Sequence, residues 1–190
     1  MDVASIVAAL SVAVPGADYQ PGTATDRPTV IVPREHLVDT AKVLRDDPSF
    51  RFDVLVEVTA VDYWPDEPRF EVVYHLLATT IPAQLRLKVR LAGEQAHVPS
   101  LHTVWPSADW LEREVWDLFG IVFEQHGDLR RLLMPEDWEG HPLRKDHPVQ
   151  IKMKAKVHQP LQLTEQEFQA NIVADRDVRG DRTRPGGDLT

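Results

Sequence analysis

The sequence predicts an α/β protein of the α+β type: a small mixed or antiparallel sheet with flanking helices, followed by an extended C-terminal arm. Between residues 52 and 91, apolar and charged residues alternate with the period of half-buried strands. Apolar residues at helical spacing precede and follow this stretch. Beyond residue 148, large apolar residues are too few to build a core. We therefore divide the chain into an α/β domain over 1–124, a loop region over 125–148 and an arm over 149–190.

The first quarter of the chain predicts two helices with a strand between them. Apolar residues at helical spacing predict a short amphipathic helix over residues 2–10. The apolar, β-branched run 29–32 predicts a short strand. Pro33 suits the first turn of a second helix. The apolar face of that helix carries Leu37, Ala41 and Leu44.

Three strands are predicted next, near residues 52–59, 70–77 and 85–91, forming an antiparallel sheet with one solvated face. The third strand places three basic residues in a row on that face: Arg86, Lys88 and Arg90. This row is either a docking stripe or a set of cross-strand partners for acids such as Asp53 and Glu57.

A further helix is predicted from Ser107, a suitable N-cap, to Phe119, with Gly120 at its C-terminal end and a short strand over 121–123. Projected at about 100° per residue, one narrow sector of this helix is apolar and should face the core. That sector contains Leu111, Val115 and Leu118. The opposite side contains Trp110, Arg113 and Asp117, with Glu112 and Trp116 on its flank.

The composition of the 190 residues argues against several classes of function. A net charge of −9 argues against nucleic acid as the main partner and weakly against direct adhesion to anionic lipid. Without cysteine, an iron–sulfur cluster, a thiol nucleophile and a disulfide framework are not expected. We also expect no membrane span and no signal peptide, because no apolar run approaches about 20 residues and the first residues are not basic.

The stretch over 109–148 carries the most specific pattern, DWLEREVWDLFGIVFEQHGDLRRLLMPEDWEGHPLRKDHP. Its ordered pieces are Glu112-Arg113-Glu114, Trp116–Ile121, His126, Asp128–Leu133 and Trp138–Asp146. This order closely resembles the C subunit of respiratory complex I, the thirty-kilodalton subunit family. Gly127 departs from the family pattern, which has proline there, and this loosens one loop.

The resemblance implies a small α/β domain and an extended arm without a redox centre. Members are non-catalytic structural subunits in the peripheral arm of a proton-pumping NADH:quinone oxidoreductase. They contact the D subunit, which helps form the quinone site, and lie near the cluster-bearing B and I subunits. Clusters, flavin and quinone then belong to partner subunits. The expected location is the cytoplasmic side of the bacterial inner membrane, held there by partners.

Two alternatives remain open. The same module occurs in membrane-bound hydrogenases and in quinone reductases that use other electron donors, and this sequence does not distinguish them. A free-standing soluble enzyme that uses the His-, Glu- and Asp-rich loop is the second alternative, although no coherent catalytic constellation supports it.

Tryptophan and arginine beside carboxylates are typical of interface anchors, so we expect a partner interface on the last helix and the following loop. The candidate residues are Trp110, Glu112, Arg113, Glu114, Trp116, Asp117, Arg130, Arg131, Trp138, His141, Arg144 and Lys145. The alternatives are that the tryptophan rings pack under the following loop, and that the loop over 137–148 is simply solvated.

Two kinds of chemistry are weighed and not favoured. Glu112 and Glu114 lie about 200° apart around a helix and cannot share a catalytic site. Glu114 and Asp117 are neighbours, but pairing with arginines is the more ordinary role of such carboxylates. A metal site is not favoured because no pair of ligands has the i, i+4 spacing of the zincin motif. The ligand types considered are His126, His141, His147, Glu139 and Asp146.

In the arm, Thr164 and Glu167 form a capping-box pattern that predicts a short helix burying Phe168 and Ile172. The tail over 179–187 is predicted to be disordered. The spread of apolar residues predicts a ribbon that becomes ordered in a groove of another chain.

Overall fold

The structure, a computed structural model, describes residues 2–148 and 164–181. The chain divides into two compact units, Met1–Pro148 and Val149–Thr190. The loop region over 125–148 therefore belongs to the same unit as the sheet.

The first unit combines three helices with a five-stranded and a two-stranded sheet. Its elements are α1 Val3–Ala13, β1 Gln20–Pro21, β2 Thr29–Ile31, α2 Leu37–Asp46, β3 Val54–Asp62, β4 Phe70–Ala78, β5 Ala83–Leu91, β6 His97–Pro99, α3 Ala108–Phe119 and β7 Val122–Glu124. The larger sheet has the order β1-β2-β5-β4-β3, and only β2 and β5 run parallel in it. This is the mixed sheet of the predicted α+β fold, and β6 pairs with β7 in parallel beside it.

The sheet is covered by helices on one face, as the alternation of β5 predicts. Leu85, Leu87 and Val89 are completely buried, whereas the side chains of the intervening basic residues remain partly exposed. A single hydrophobic cluster joins these apolar residues to side chains of α1, α2 and α3. The three helices therefore share one core with the sheet.

The basic row on β5 is paired, but not with the acids that the sequence suggested. Lys88 and Arg90 both contact the Glu71 carboxylate of β4, with N–O distances of 2.7 and 3.4 Å. Arg86 pairs with Asp26 at 2.8 Å. The expected partner Asp53 instead accepts hydrogen bonds from Thr79, because Glu71 is the acid that lies directly opposite Arg90 in the β4–β5 register.

The region before β3 follows the predictions with shifted boundaries. Pro33 precedes a 3₁₀ turn, Arg34–His36, and the α-helix itself begins at Leu37. Its predicted apolar face is completely buried, at Leu37, Ala41 and Leu44.

In the second unit, the helix α4 Glu165–Asp181 begins at the predicted capping box. Thr164 Oγ1 and the Glu167 carboxylate are 2.8 Å apart, and the Glu167 N–H donates to Thr164 Oγ1 at 3.3 Å. Phe168 is 55% exposed and Ile172 half-buried. The helix continues to Asp181, into the tail over 179–187, whose predicted disorder stays a prediction. The rest of that tail and the predicted arm over 149–163 lie outside the described residues.

Within residues 2–148 and 164–181, no helix combines the length and the apolar character that crossing a membrane requires.

Candidate docking surface

Helix α3 is anchored in the core along one side. Ala108 and Val115 are buried there, together with Phe119 at the end of the helix. Gly120 ends the helix in the left-handed region, with φ of 72°, and its N–H donates to the Trp116 carbonyl, as the sequence predicts. Ser107 does not cap the start of the helix: its hydroxyl donates to the carbonyl of Leu55 in β3. The expected N-cap thus ties α3 to the sheet instead.

The second side of α3 is also covered, which corrects the helical projection. Glu112 and Asp117 are completely buried and Arg113 is 8% exposed, whereas Leu111 is only half-buried. The projection assumed one buried face and one solvated face. The loop region folds back over the side that was expected to be solvated, because the backbone beyond residue 128 needs the polar groups of that side as hydrogen-bond partners.

Asp117 is the centre of this packing. Its Oδ2 accepts the backbone N–H groups of Leu132, Leu133 and Met134 at 2.8 to 3.0 Å. Its Oδ1 pairs with Arg131 Nη1 at 2.7 Å. A loop without repetitive secondary structure is thereby fixed on the helix by one carboxylate.

The pKa of Asp117 reflects two opposed effects. Burial by itself raises the pKa, but the N–H groups of the loop, foremost that of Met134, and the Arg131 guanidinium outweigh it. The net pKa lies below the ordinary value, because these donors interact more strongly with the ionised form. Asp117 is therefore a structural anion at neutral pH.

Two arginines connect the helix and the loop through backbone carbonyls. Arg131 Nη2 donates to the carbonyls of Trp138 and Gly140 at 2.8 and 3.0 Å. Arg113 donates to the carbonyls of Arg130 and Arg131, both at 3.3 Å, and its guanidinium lies 4.8 Å from the Trp110 ring centroid. The N–H donors of Arg131 and Arg113 therefore serve mainly to bind carbonyls of this chain.

The end of the loop closes over the C-terminus of α3. His141 Nδ1 contacts the Asp117 carbonyl at 2.9 Å, and its ring meets the Trp116 ring edge-on at 6.2 Å. Arg144 donates to the carbonyls of Phe119 and Gly120. These are carbonyls that a helix end leaves without internal partners. Burial, reinforced by nearby arginines, lowers the pKa of His141, which favours its neutral form.

A second contact, which the sequence did not predict, fastens the loop to the β3–β4 hairpin. Asp62, at the end of β3, accepts Arg69 through both oxygens at 3.0 and 2.9 Å and the Lys145 N–H at 2.9 Å. Arg69 also reaches Asp146 at 2.8 Å. No sequence pattern signals this pairing, since Asp62 and Lys145 are 83 positions apart.

Large apolar side chains remain on the outside of this assembly. Trp110 is 58% exposed, Leu133 59% and Leu143 51%. Of the predicted interface residues, Arg130 and Lys145 are also exposed, and six are half-buried: Glu114, Trp116, Arg131, Trp138, His141 and Arg144. The remaining candidates are buried within this chain and are not on its surface: Glu112, Arg113 and Asp117. A role of these candidates at a partner interface stays a prediction.

The carboxylates and histidines that the sequence offered for catalysis or metal binding lie in several different places in this unit. Across the described residues, no group of three or more His, Cys, Asp or Glu side chains is arranged to hold a metal ion. Glu112 lies inside the domain and Glu114 at its surface. His126 contacts Asp109, and His147 stacks on Trp138 with ring centroids 6.3 Å apart.

Comparisons with known proteins agree on one family. The family model described as the respiratory-chain NADH dehydrogenase 30 kDa subunit matches residues 30–152. The C subunit of NADH-quinone oxidoreductase from Roseiflexus sp. (strain RS-1) is 47% identical over 149 residues, covering 78% of this chain and 86% of that protein. The corresponding C subunit from Azorhizobium caulinodans is 44% identical over 164 residues, covering 82% of this chain and 77% of that protein.

Two solved structures share the fold. A trypsin-resistant fragment of Nqo5 superposes with a TM-score of 0.54 and 28% identity, over 68% of this chain and 100% of the fragment. A chain of the membrane-bound sulfane sulfur reductase, an archaeal respiratory membrane complex, superposes with a TM-score of 0.62 and 26% identity, over 85% of this chain and 92% of that chain. The family model, which matches residues 30–152, and the relatives at 44 to 47% identity show that the chain belongs to the family of the 30 kDa subunit of respiratory-chain NADH dehydrogenase.

Proposed function

We propose that this chain is a non-catalytic structural subunit in the peripheral arm of a proton-pumping NADH:quinone oxidoreductase. It docks the subunit that forms the quinone site and the subunits that carry the clusters. Its own residues hold no cofactor and perform no chemical step. Its partners are the D, B and I subunits, and it lies on the cytoplasmic side of the bacterial inner membrane through them.

The observation that carries this proposal is that polar and apolar groups have different roles in the loop region. Its buried polar groups serve to hold the loop on α3 and on the hairpin, as the contacts of Asp117, Arg131 and Asp62 show. Its large apolar groups, Leu133 and Leu143, are exposed, as is Trp110 on α3. Exposed aromatic and aliphatic side chains on a pre-ordered backbone favour protein contact, because little entropy is lost on binding.

A test of the docking role compares Trp110→Ala with a matched change elsewhere. Tagged full-length chain is recovered from native membranes, and the co-purified D subunit is quantified. Truncating a central aromatic anchor typically costs about 2 kcal/mol or more of binding, so Trp110→Ala should reduce the yield of the D subunit strongly. The melting temperature of the free chain should change little, because Trp110 is mostly exposed.

Val12→Ala is the control, since Val12 is 82% exposed on α1, away from the loop region. It should leave co-purification unchanged. Val115 lies on the buried side of the same helix as Trp110. Val115→Ala should lower the stability of the free chain by about 1–3 kcal/mol. Equal recovery of the D subunit with Trp110→Ala and with Val12→Ala would remove the support for this surface.

A second candidate is the same structural role in a related respiratory complex with another electron donor or acceptor. The superposition on a chain of the membrane-bound sulfane sulfur reductase favours it, because that match covers 85% of this chain. Mass spectrometry of the purified native complex separates the two. NADH-binding subunits among the partners support the first proposal, and their consistent absence supports the second.

A further inference from the structure

Glu112 occupies the interior of the first unit in an unusual way. Its side chain extends from α3 toward the segment that follows β6, where it accepts hydrogen bonds from the Ser100 hydroxyl and from the Leu101 N–H, the latter at 2.7 Å. The residue is completely buried. Burying a carboxylate with two neutral donors is expensive unless a cation or a proton neutralises it.

No cation fulfils that role among the residues that the structure describes. The ion pairs there do not include Glu112, and the neighbouring Arg113 turns to the carbonyls of the loop region. Tyr74, on β4, is also completely buried, and its hydroxyl has no hydrogen-bond partner in the described part of the chain. Burial raises the pKa of the Tyr74 phenol first, and the negative charge of Glu112 raises it further, so the two groups are close.

The other titratable groups around Glu112 supply no positive charge at close range. Asp109, on the same helix, adds a like charge that disfavours the ionised form. His102 contacts the far side of Ser100, with Nδ1 at 2.9 Å from Oγ, and its ring lies 5.8 Å from that of His126. On β3, which packs along α3, Asp62 is neutralised by Arg69. Ser100 and the half-buried His102 therefore connect the carboxyl with solvent.

We propose that Glu112 is a proton-binding site: its carboxyl takes up a proton when the chain folds and retains it near neutral pH, beside the Tyr74 hydroxyl. The proton comes from solvent and returns to it by way of Ser100 and His102. The site lies on the inner side of the helix whose outer side carries Trp110. This inference concerns the interior of the chain and holds whether or not α3 is a docking element.

The consequence for stability has a definite sign. Burial raises the pKa of Glu112 from 4.5 to about 7, against the opposite effect of the hydrogen bonds from Ser100 and Leu101. Because the folded-state pKa is the higher one, the folded chain binds more protons than the unfolded chain between these two values. Stability from this group is thus full below pH 4.5 and is lost as the pH rises to about 7. The loss is on the order of a hundredfold in the folding equilibrium constant.

The experiment measures denaturant unfolding of the full-length chain between pH 4.5 and 8, for the wild type, Glu112→Gln and Glu114→Gln. Glutamine resembles the protonated acid, so Glu112→Gln should remove the decline of stability between pH 4.5 and 7. Glu114→Gln, on the same helix but nearer the surface, should keep it. Burial lowers the pKa of both His75 and His141 and gives an opposite slope below pH 6.5, but it does so equally in all three chains.

Carbon-13 NMR of the glutamate carboxyls in the wild-type chain gives an independent measurement that does not depend on a variant folding. One buried carboxyl, assigned to Glu112 by correlation with its own backbone resonances, should titrate near pH 7. If the Glu112 resonance titrates below pH 5, or if Glu112→Gln and the wild type show parallel stability profiles, the carboxyl is an ordinary anion and the proposal is wrong.

Discussion

At the scale of single residues, Gly120 shows how closely the loop region is fitted to the helix. Its backbone has φ of 72°, and a Cβ atom placed there would lie 2.4 Å from His141 Cδ2 and 2.6 Å from Arg144 Nη2. Glycine is required both by the left-handed backbone and by the side chains that close over it. These are separable requirements, because Gly16 has a positive φ of 90° with no atom within 4 Å of such a Cβ.

We expect Gly120→Ala to destabilise the chain more than Gly16→Ala, and Gly127→Ala to have little effect. Gly16→Ala introduces only the backbone strain of an L-residue in the left-handed region, about 1–2 kcal/mol. Gly120→Ala adds the displacement of His141 and Arg144. Gly127 has neither a positive φ nor a close neighbour and serves as the control. Thermal unfolding of the three variants would test this order, and equal melting temperatures for the changes at positions 16 and 120 would contradict it.

The sequence predicted the role of Gly120 at the helix end but not the burial of Glu112 and Asp117. Gly120 follows a helical pattern directly, and a helix end is a local feature. The burial of Glu112 and Asp117 depends on which groups the loop region and the segment after β6 bring to α3, and those are tertiary contacts. A hydrophobic projection assigns carboxylates to solvent by default, so it had no means of placing them inside. The only local hint was the density of carboxylates and arginines in this stretch, which indicates pairing without saying which groups pair.

At the scale of elements, the loop region behaves as an additional layer on α3 although it has almost no regular secondary structure. Its backbone N–H groups and carbonyls are partnered by the side chains of Asp117, Arg131 and Arg113. The predicted helix and strands could be read from periodicity, whereas a layer held by side chains has no periodicity to read.

Asp117→Asn should therefore release the loop region from α3. The amide nitrogen would replace one of the two carboxylate oxygens, so either the N–H groups of residues 132–134 or the Arg131 guanidinium would lose the acceptor. Removing one partner of a buried ion pair typically costs about 3–5 kcal/mol, so a large loss of stability is expected. Limited proteolysis within 129–140 should accelerate at the same time. Asp128→Asn is the control: Asp128 pairs with Arg130 at 2.6 Å, but both side chains are largely solvated, and little change is expected.

A variant Asp117→Asn that kept both the stability and the protease resistance of the wild type would show that other contacts hold this layer.

At the scale of the whole molecule, the first unit joins a helix-covered sheet to a layer fixed by buried ion pairs. The sequence predicted the sheet and its solvated face, because strand alternation depends on neighbouring residues alone. It did not predict that β2 runs parallel to β5, since two strands separated by more than about 50 residues carry no local sign of their pairing. The same holds for the contact between Asp62 and the loop region. Both features depend on the path of the entire chain.

These ion pairs determine how the unit responds to acid. Arg69 and the N–H groups of Lys145 and Trp64 outweigh burial and lower the pKa of Asp62 from 3.8 to about 2. The folded-state pKa is the lower one, so this stabilisation is present above pH 3.8 and is lost as the pH falls toward 2. A shift of this size corresponds to about 2 kcal/mol. Asp117 acts in the same direction.

Denaturant unfolding between pH 7 and 2 should therefore show a steep loss of stability below pH 4, with a smaller loss in Asp62→Asn. Asp46→Asn, which removes an exposed partner of Arg45, should follow the wild-type curve apart from a small offset. If Asp62→Asn lost stability below pH 4 as steeply as the wild type, the contact with Arg69 would not control the acid response.

The exposed apolar positions on α3 and on the loop region have a further consequence for the evolution of this surface. Trp110, Leu133 and Leu143 take little part in holding the backbone, whereas Asp117, Gly120 and Arg131 determine its course. If the first group forms the proposed docking surface, substitutions there change the affinity for a neighbour with little penalty in folding. Because folding and surface contacts depend on different residues, a few substitutions at exposed positions could fit the same fold to a new partner. This gives a physical route by which one fold could be recruited into respiratory complexes with different electron donors.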